Sequence, residues 1–185
     1  ITMAAALSYS DNIYAVKTHL FLGEEVLVNT ASRMGIKEKL EPLPSLALGT
    51  SELSMIDFAR GYTTLASGGY KRDITFIERV EDMEGNVLYK KDVDNELVLN
   101  ESYTYILNEM MTSTYNSAFI DYSTPTVMSI ASKISNKYAI KTGSSGTDCW
   151  MVGYNPNILM LVWNGYDDNS MLEVKDGAIS KNIWV

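Results

Sequence analysis

The chain is poor in the residues from which most catalytic and metal-binding motifs are built. It has one histidine, His19, and one cysteine, Cys149, in 185 residues. A single cysteine cannot form an internal disulfide. One histidine and one cysteine do not make the ligand set of a conventional zinc site, so no metal is expected; no other cofactor is expected either. A Ser-His-Asp triad would have to rest on His19, which lies within a helical pattern and reads as a surface or internally satisfied histidine. Cys149 has no cationic neighbour in sequence and reads as an inert thiol. No G-x-S-x-G, Walker A or G-x-G-x-x-G pattern is present. Positive charge is scarce too: 15 Lys and Arg face 23 Asp and Glu, a formal charge of −8. Phosphate contacts need a basic face, so no nucleic-acid partner is expected. No run of about 18 apolar residues, the length that spans a bilayer, is present. Neither a signal peptide nor an initiator Met opens the chain.

What is present is a globular composition, 46 % apolar and 21 % charged, sufficient for one sizeable core or two small ones. The start, ITMAAALSYSDN, is already helix-like, and the end, SKNIWV, reads as a helix cut short. Both ends look interrupted, and a piece of a longer protein is the expectation. A helical segment through Leu22 carries Ile13, Val16 and Leu20 at helical spacing and closes at Gly23. A second, from about Glu24 to Met34, shows Leu27, Ala31 and Met34 on one face and stops at Gly35. Pro42 and Pro44 mark a loop. Ser54 with Asp57 resembles a capping box, opening a helix through about Ala66. Ile74–Val80 and Val87–Tyr89 read as strands around an Asp82–Asn86 turn. Asn100 caps a helix to about Thr112, with Ile106, Leu107, Met110 and Met111 inward. Residues 113–135 are polar and aperiodic and read as a long, functional or mobile loop. Strands joined by short turns fill the last third, followed by a short acidic segment and the terminal helix. Helices first and antiparallel strands last predict an α+β fold, an antiparallel β-sheet packed by helices.

Two triplets could carry chemistry. Lys141-Thr142-Gly143, within KYAIKTGSSGTDCWMVGYNPN, puts an ammonium, a hydroxyl and a bare backbone in one row on a strand. Glycine there lets a substrate backbone lie against the strand. Ser10-Asp11-Asn12 stands about 130 residues earlier. Alone it reads as a cap or turn, and Ser180-Lys181-Asn182 repeats its pattern. Paired with Lys-Thr-Gly, and with a Ser-x-x-Lys, it completes the signature set of serine penicillin-recognising enzymes.

The chain resembles the C-terminal part of the transpeptidase domain of penicillin-binding proteins, most like the bifunctional class A type. The likeness runs through ITMAAALSYSDNIYAVK, PSLALGTSELSMIDFARGYTTLASGG, EDMEGNVLYK, AIKTGSSGTDCWMVGYNPN and LVWNGYDDN. The resemblance implies one partial domain over 1–185. Its helical part, about 1–70, would carry Ser-x-Asn, with a small hairpin at about 71–100. The Lys-Thr-Gly strand, following strands and terminal helix would occupy about 136–185. It implies a peptidoglycan D,D-transpeptidase on the extracytoplasmic face of the bacterial membrane, anchored outside this chain. Stem peptides ending in D-Ala-D-Ala and β-lactams would be its partners.

The resemblance also implies roles. Ser10 would relay a proton to the leaving amine. Asn12 would hold a catalytic lysine and bind a substrate amide. Lys141 would keep the site electropositive and help deprotonate or orient Ser10. Thr142 and Ser144 would bind the terminal carboxylate, and the Ser144 N–H would furnish half an oxyanion hole. Gly143 would leave room for substrate, while Asp148, Trp150 and Gly153 would be structural. Ser144-Ser145 stands where Thr-Thr is commoner. No Ser-x-x-Lys occurs in the 185 residues, so the nucleophile is expected upstream of Ile1 and the chain alone is expected to be inactive. The alternatives are a non-catalytic binding or structural module of the same fold, or a D,D-carboxypeptidase or β-lactamase relative. A sheet lacking its upstream cover is also expected to expose apolar surface, with self-association or a mobile 113–135 segment.

Overall fold

A computed structural model describes residues 1–93 and 95–185; Asp94, in the 71–100 region, lies outside the described residues. Helices α1 (Met3–Tyr9), α2 (Asn12–Leu22) and α3 (Glu24–Arg33) open the chain. A 3₁₀ turn follows at Pro44–Leu48, then α4 (Met55–Ala66). Short strands β1 (Tyr70–Lys71), β2 (Arg79–Glu81), β3 (Val87–Lys90) and β4 (Glu96–Leu97) precede α5 (Glu101–Met111). After three 3₁₀ turns come β5 (Ala139–Ser144), β6 (Asp148–Asn155) and β7 (Ile158–Gly165). A 3₁₀ turn at Val174–Ala178 leads into α6 (Ile179–Trp184). β5, β6 and β7 form one antiparallel sheet in that order; β1 pairs with β4 and β2 with β3. The fold is α+β.

Paired residues share a face of the sheet. One face presents Ala139, Lys141 and Gly143 beside Tyr154, Val152 and Trp150. Ala139, Val152 and Tyr154 pack with Leu65 of α4 and Met111 of α5 into one core cluster. The other face presents Ile140 and Met151, which pack with Val127, Ile130 and Trp184 into a second. The sheet is thus sandwiched between the helical part and α6.

Several expectations need correction. The first helix is broken at Ser10, because the Asp11 carboxylate caps α2 by accepting the Tyr14 N–H at 2.7 Å, a local bond that competes with helix continuation. Ile13 and Leu20 are exposed, since α2 lies on the Pro44–Leu48 turn through His19, whose Nε2 meets the Leu43 carbonyl at 3.1 Å. The Ser54–Asp57 box is half formed. Ser54 accepts the Asp57 N–H, but the Asp57 carboxylate turns inward to Lys37, Glu38 and Arg60. The strand expected over Ile74–Val80 shrinks to Arg79–Glu81, whose pairing begins only opposite Lys90. Ile106 is exposed, because α5 packs through Thr104, Leu107 and Met111. Residues 113–135 are not a loose loop: Ser113, Thr114, Val127 and Ile130 are buried, and 3₁₀ turns organise the segment.

Candidate active site

Ser10 closes α1 in the left-handed region, at φ 57° and ψ 49°. Asp11, through its bond to Tyr14, starts α2 immediately afterwards, and this tight helix–turn–helix pushes the Ser10 side chain out of either helix. The platform beneath is tied to the segment expected to be a loop. The Ser8 hydroxyl donates to the Ser113 carbonyl and the Ser113 hydroxyl to that of Ala4, both at 3.2 Å. The Thr126 N–H donates to the Ser8 carbonyl at 3.0 Å. Tyr9 donates to the Phe119 carbonyl and stacks edge-on against Tyr122. Ser8, Ser113 and Thr126 were not legible as site-building residues, because serine and threonine without a period look alike in a loop and in a buried polar seam.

Opposite stands β5. The Lys141 ammonium donates to the Ser10 hydroxyl at 2.7 Å and to the Thr142 carbonyl at 2.6 Å. The two triplets, 131 residues apart, therefore meet. Burial pulls the Lys141 pKa down to about 8, leaving the amine near the point where it can give or take a proton at neutral pH. A Cβ at Gly143 would meet only Trp150 Cβ, at an ordinary 3.6 Å. The fold does not need a glycine there, and what glycine leaves is an open strand surface.

Thr142 and Ser144 alternate with Lys141 along the strand, and Gly143 and Ser144 are exposed. Among the described residues their hydroxyls have no side-chain partner, so they are free to receive an anion. Asn12, the first residue of α2, is exposed beside Ser10 but makes no side-chain hydrogen bond among the described residues. The structure thus joins Lys141 to Ser10 and to the Thr142 carbonyl, and sets Asn12, the Thr142 hydroxyl, Gly143 and Ser144 around them with no hydrogen bond to either side chain among the described residues. Cys149 is buried and its thiol pKa is raised by that burial. Among the described residues no cluster of His, Cys, Asp and Glu could hold a metal ion, and no helix is long and apolar enough to cross a membrane.

An α+β domain that lays a Ser-x-Asn turn against an open Lys-Thr-Gly strand has the architecture of the serine penicillin-recognising class. The model of the penicillin-binding protein transpeptidase domain matches residues 1–184, and the chain belongs to that family. It is 44 % identical over 185 residues to penicillin-binding protein 2D of Bacillus subtilis, covering all of this chain and 27 % of that protein. Its fold is that of penicillin-binding protein 1A from Haemophilus influenzae, with TM-score 0.85 and 20 % identity over 97 % of this chain and 32 % of the other. Penicillin-binding protein A of Mycobacterium tuberculosis, solved as an imipenem acyl-enzyme complex, shares the fold at TM-score 0.68 and 15 % identity, over all of this chain and 47 % of that one. The chain spans about a quarter of the length of its curated relatives.

Proposed function

We propose that this chain is the substrate-binding wall of a peptidoglycan D,D-transpeptidase, one part of a domain whose Ser-x-x-Lys nucleophile precedes Ile1. The observation that carries the reading is the 2.7 Å bond between Lys141 and Ser10 beside the open surface at Gly143. A stem peptide ending in D-Ala-D-Ala would lie along β5, with its carboxylate on the Thr142 and Ser144 hydroxyls. The upstream serine, giving its proton to the lysine of the same Ser-x-x-Lys, would attack the penultimate carbonyl. Its oxyanion would be held by the Ser144 N–H, a donor aimed where charge develops. Ser10, paired with the Lys141 amine, would deliver a proton to the departing D-Ala nitrogen, so that the amide bond breaks as the ester forms. An amine of a second stem peptide would then displace the serine and complete the cross-link. Asn12, at the head of α2, would orient the catalytic lysine and the substrate amide.

A β-lactam would enter by the same route and stop at the acyl-enzyme. Such a protein would work on the extracytoplasmic face of the membrane, on an anchor outside these residues. Regions 1–70, 71–100 and 136–185 would then be parts of one domain.

The test is the rate at which a fluorescent penicillin labels a protein carrying this chain together with its upstream sequence. Lys141→Ala and Ser10→Ala should each slow labelling by about 10²-fold or more while unfolding at temperatures near wild type. Labelling at the wild-type rate by both variants would exclude this site from the chemistry.

A further inference from the structure

The turn joining β5 to β6 carries three polar side chains that the mechanism above does not use. One oxygen of the Asp148 carboxylate accepts the Thr147 hydroxyl at 2.8 Å and the Ser145 hydroxyl at 3.2 Å. The other accepts the Trp163 indole N–H at 2.7 Å from β7, the far strand of the sheet. Ser145 closes the ring, since its oxygen also accepts the N–H groups of Thr147 at 3.1 Å and Asp148 at 3.0 Å. Its own N–H donates to the Asp148 carbonyl at 2.8 Å. Outside the turn, the Leu172 N–H donates to the Gly146 carbonyl at 2.8 Å. Met171 lies so close that a Cβ at Gly146 would stand 2.7 Å from its methyl group. Trp163 in turn packs on Trp150, and Trp150 on Phe58 of α4, with ring centres 6.3 and 5.5 Å apart.

The turn is therefore pinned by Trp163 on one side and by Met171 and Leu172 on another, and the residue immediately before it is Ser144. Asp148 is half-buried at the head of β6, and every side-chain bond it accepts comes from the turn or from Trp163. Hydrogen bonds, first from Trp163 and then from Thr147, hold the Asp148 carboxyl below its usual pKa, against the smaller opposing effect of burial. The acceptor is thus a charged one, and charge-assisted bonds are the stronger kind.

We propose that Asp148 is a positioning residue for acyl transfer: through Ser145, Thr147 and Trp163 it fixes the turn that aims the Ser144 N–H and hydroxyl into the substrate cleft. The inference rests on the transpeptidase reading above. Oxyanion donors contribute only when they are aimed before the reaction begins, and a displacement of about 1 Å at such a group costs about 10²-fold in rate.

Rapid-mixing acylation by a chromogenic cephalosporin tests it, in a protein carrying this chain and its upstream sequence. Burst amplitude counts competent sites, and the rate constant per site reads their geometry. Asp148→Asn keeps an acceptor for Trp163 but turns an amide NH₂ toward the Ser145 and Thr147 hydroxyls. It should lower the rate constant by about 10- to 100-fold with the amplitude kept. Trp163→Phe removes the third bond and should lower the same constant less, which keeps the test open if the asparagine variant does not fold. Wild-type rate constants in both variants, or a loss of amplitude alone, would overturn the positioning role. A wild-type protein that takes no acyl group would sink the transpeptidase reading instead, and this inference with it.

Discussion

Lys141 and Ser10 are held in states the chain would not choose by itself. Ser10 occupies the left-handed region without being glycine, at a cost of about 1 kcal/mol, and Lys141 keeps an amine in a site that disfavours its charge. The sign of the lysine effect is fixed by linkage. Its pKa is about 8 in the folded chain against an ordinary 10.5, so between those values the unfolded chain binds more protons and stability rises with pH. Wild type compared with Lys141→Met should therefore gain relative stability as pH goes from about 8 to about 10.5, measured by urea unfolding; a flat difference would mean that the ammonium is not desolvated. Asp57 behaves oppositely. Burial raises its pKa, but bonds from the Glu38 and Lys37 N–H groups and from Arg60 outweigh that and hold it at about 2. Its contribution is full above the ordinary value of 3.8 and is lost as pH falls toward 2. Asp57→Asn should cost about 3 kcal/mol at neutral pH, with the deficit shrinking in acid.

At the scale of elements, the sheet and its two cover layers position everything else. Gly153 shows how closely they fit: a Cβ there would come within 2.2 Å of the Trp184 ring. Gly153→Ala should push Trp184 off the sheet, red-shift tryptophan emission and cost about 1–3 kcal/mol. How much of this was legible follows from what each signal measures. α3, α4 and α5 were readable because caps and apolar spacing coincide, as at Ser54 and Asn100, and β5–β7 because apolar runs alternate with turn residues. The break at Ser10 was not, since Asp11 acts through one side-chain bond that no periodicity records. Nor was the role of 113–135, where buried hydroxyls satisfy α1 and hide as loop composition. The pairing of Ser10 with Lys141 could be expected only from the family's motif pair, because nothing local links positions 131 residues apart. The resemblance marks Asp148 as structural, but its ring of bonds to Ser145, Thr147 and Trp163 is visible only in the turn's geometry.

At the scale of the molecule, large apolar side chains stand in solvent. Phe21 is 88 % exposed, Phe76 84 % and Met83 100 %. β7 has no further strand on its outer edge among the described residues. A chain that spans 27 % of a relative's length and presents such surface fits a reading in which the remainder of the domain, nucleophile included, packs against it. On the proposed reading, these 185 residues supply the wall, proton relay and anion site of an acyl-enzyme whose nucleophile lies outside them. Peptide mapping by mass spectrometry, after penicillin treatment of a protein carrying this chain and its upstream sequence, tests it most directly. One penicilloyl adduct is expected, on the serine of a Ser-x-x-Lys ahead of Ile1, and none on residues 1–185. An adduct on Ser10 or any other serine of this chain, or no adduct anywhere, would contradict it.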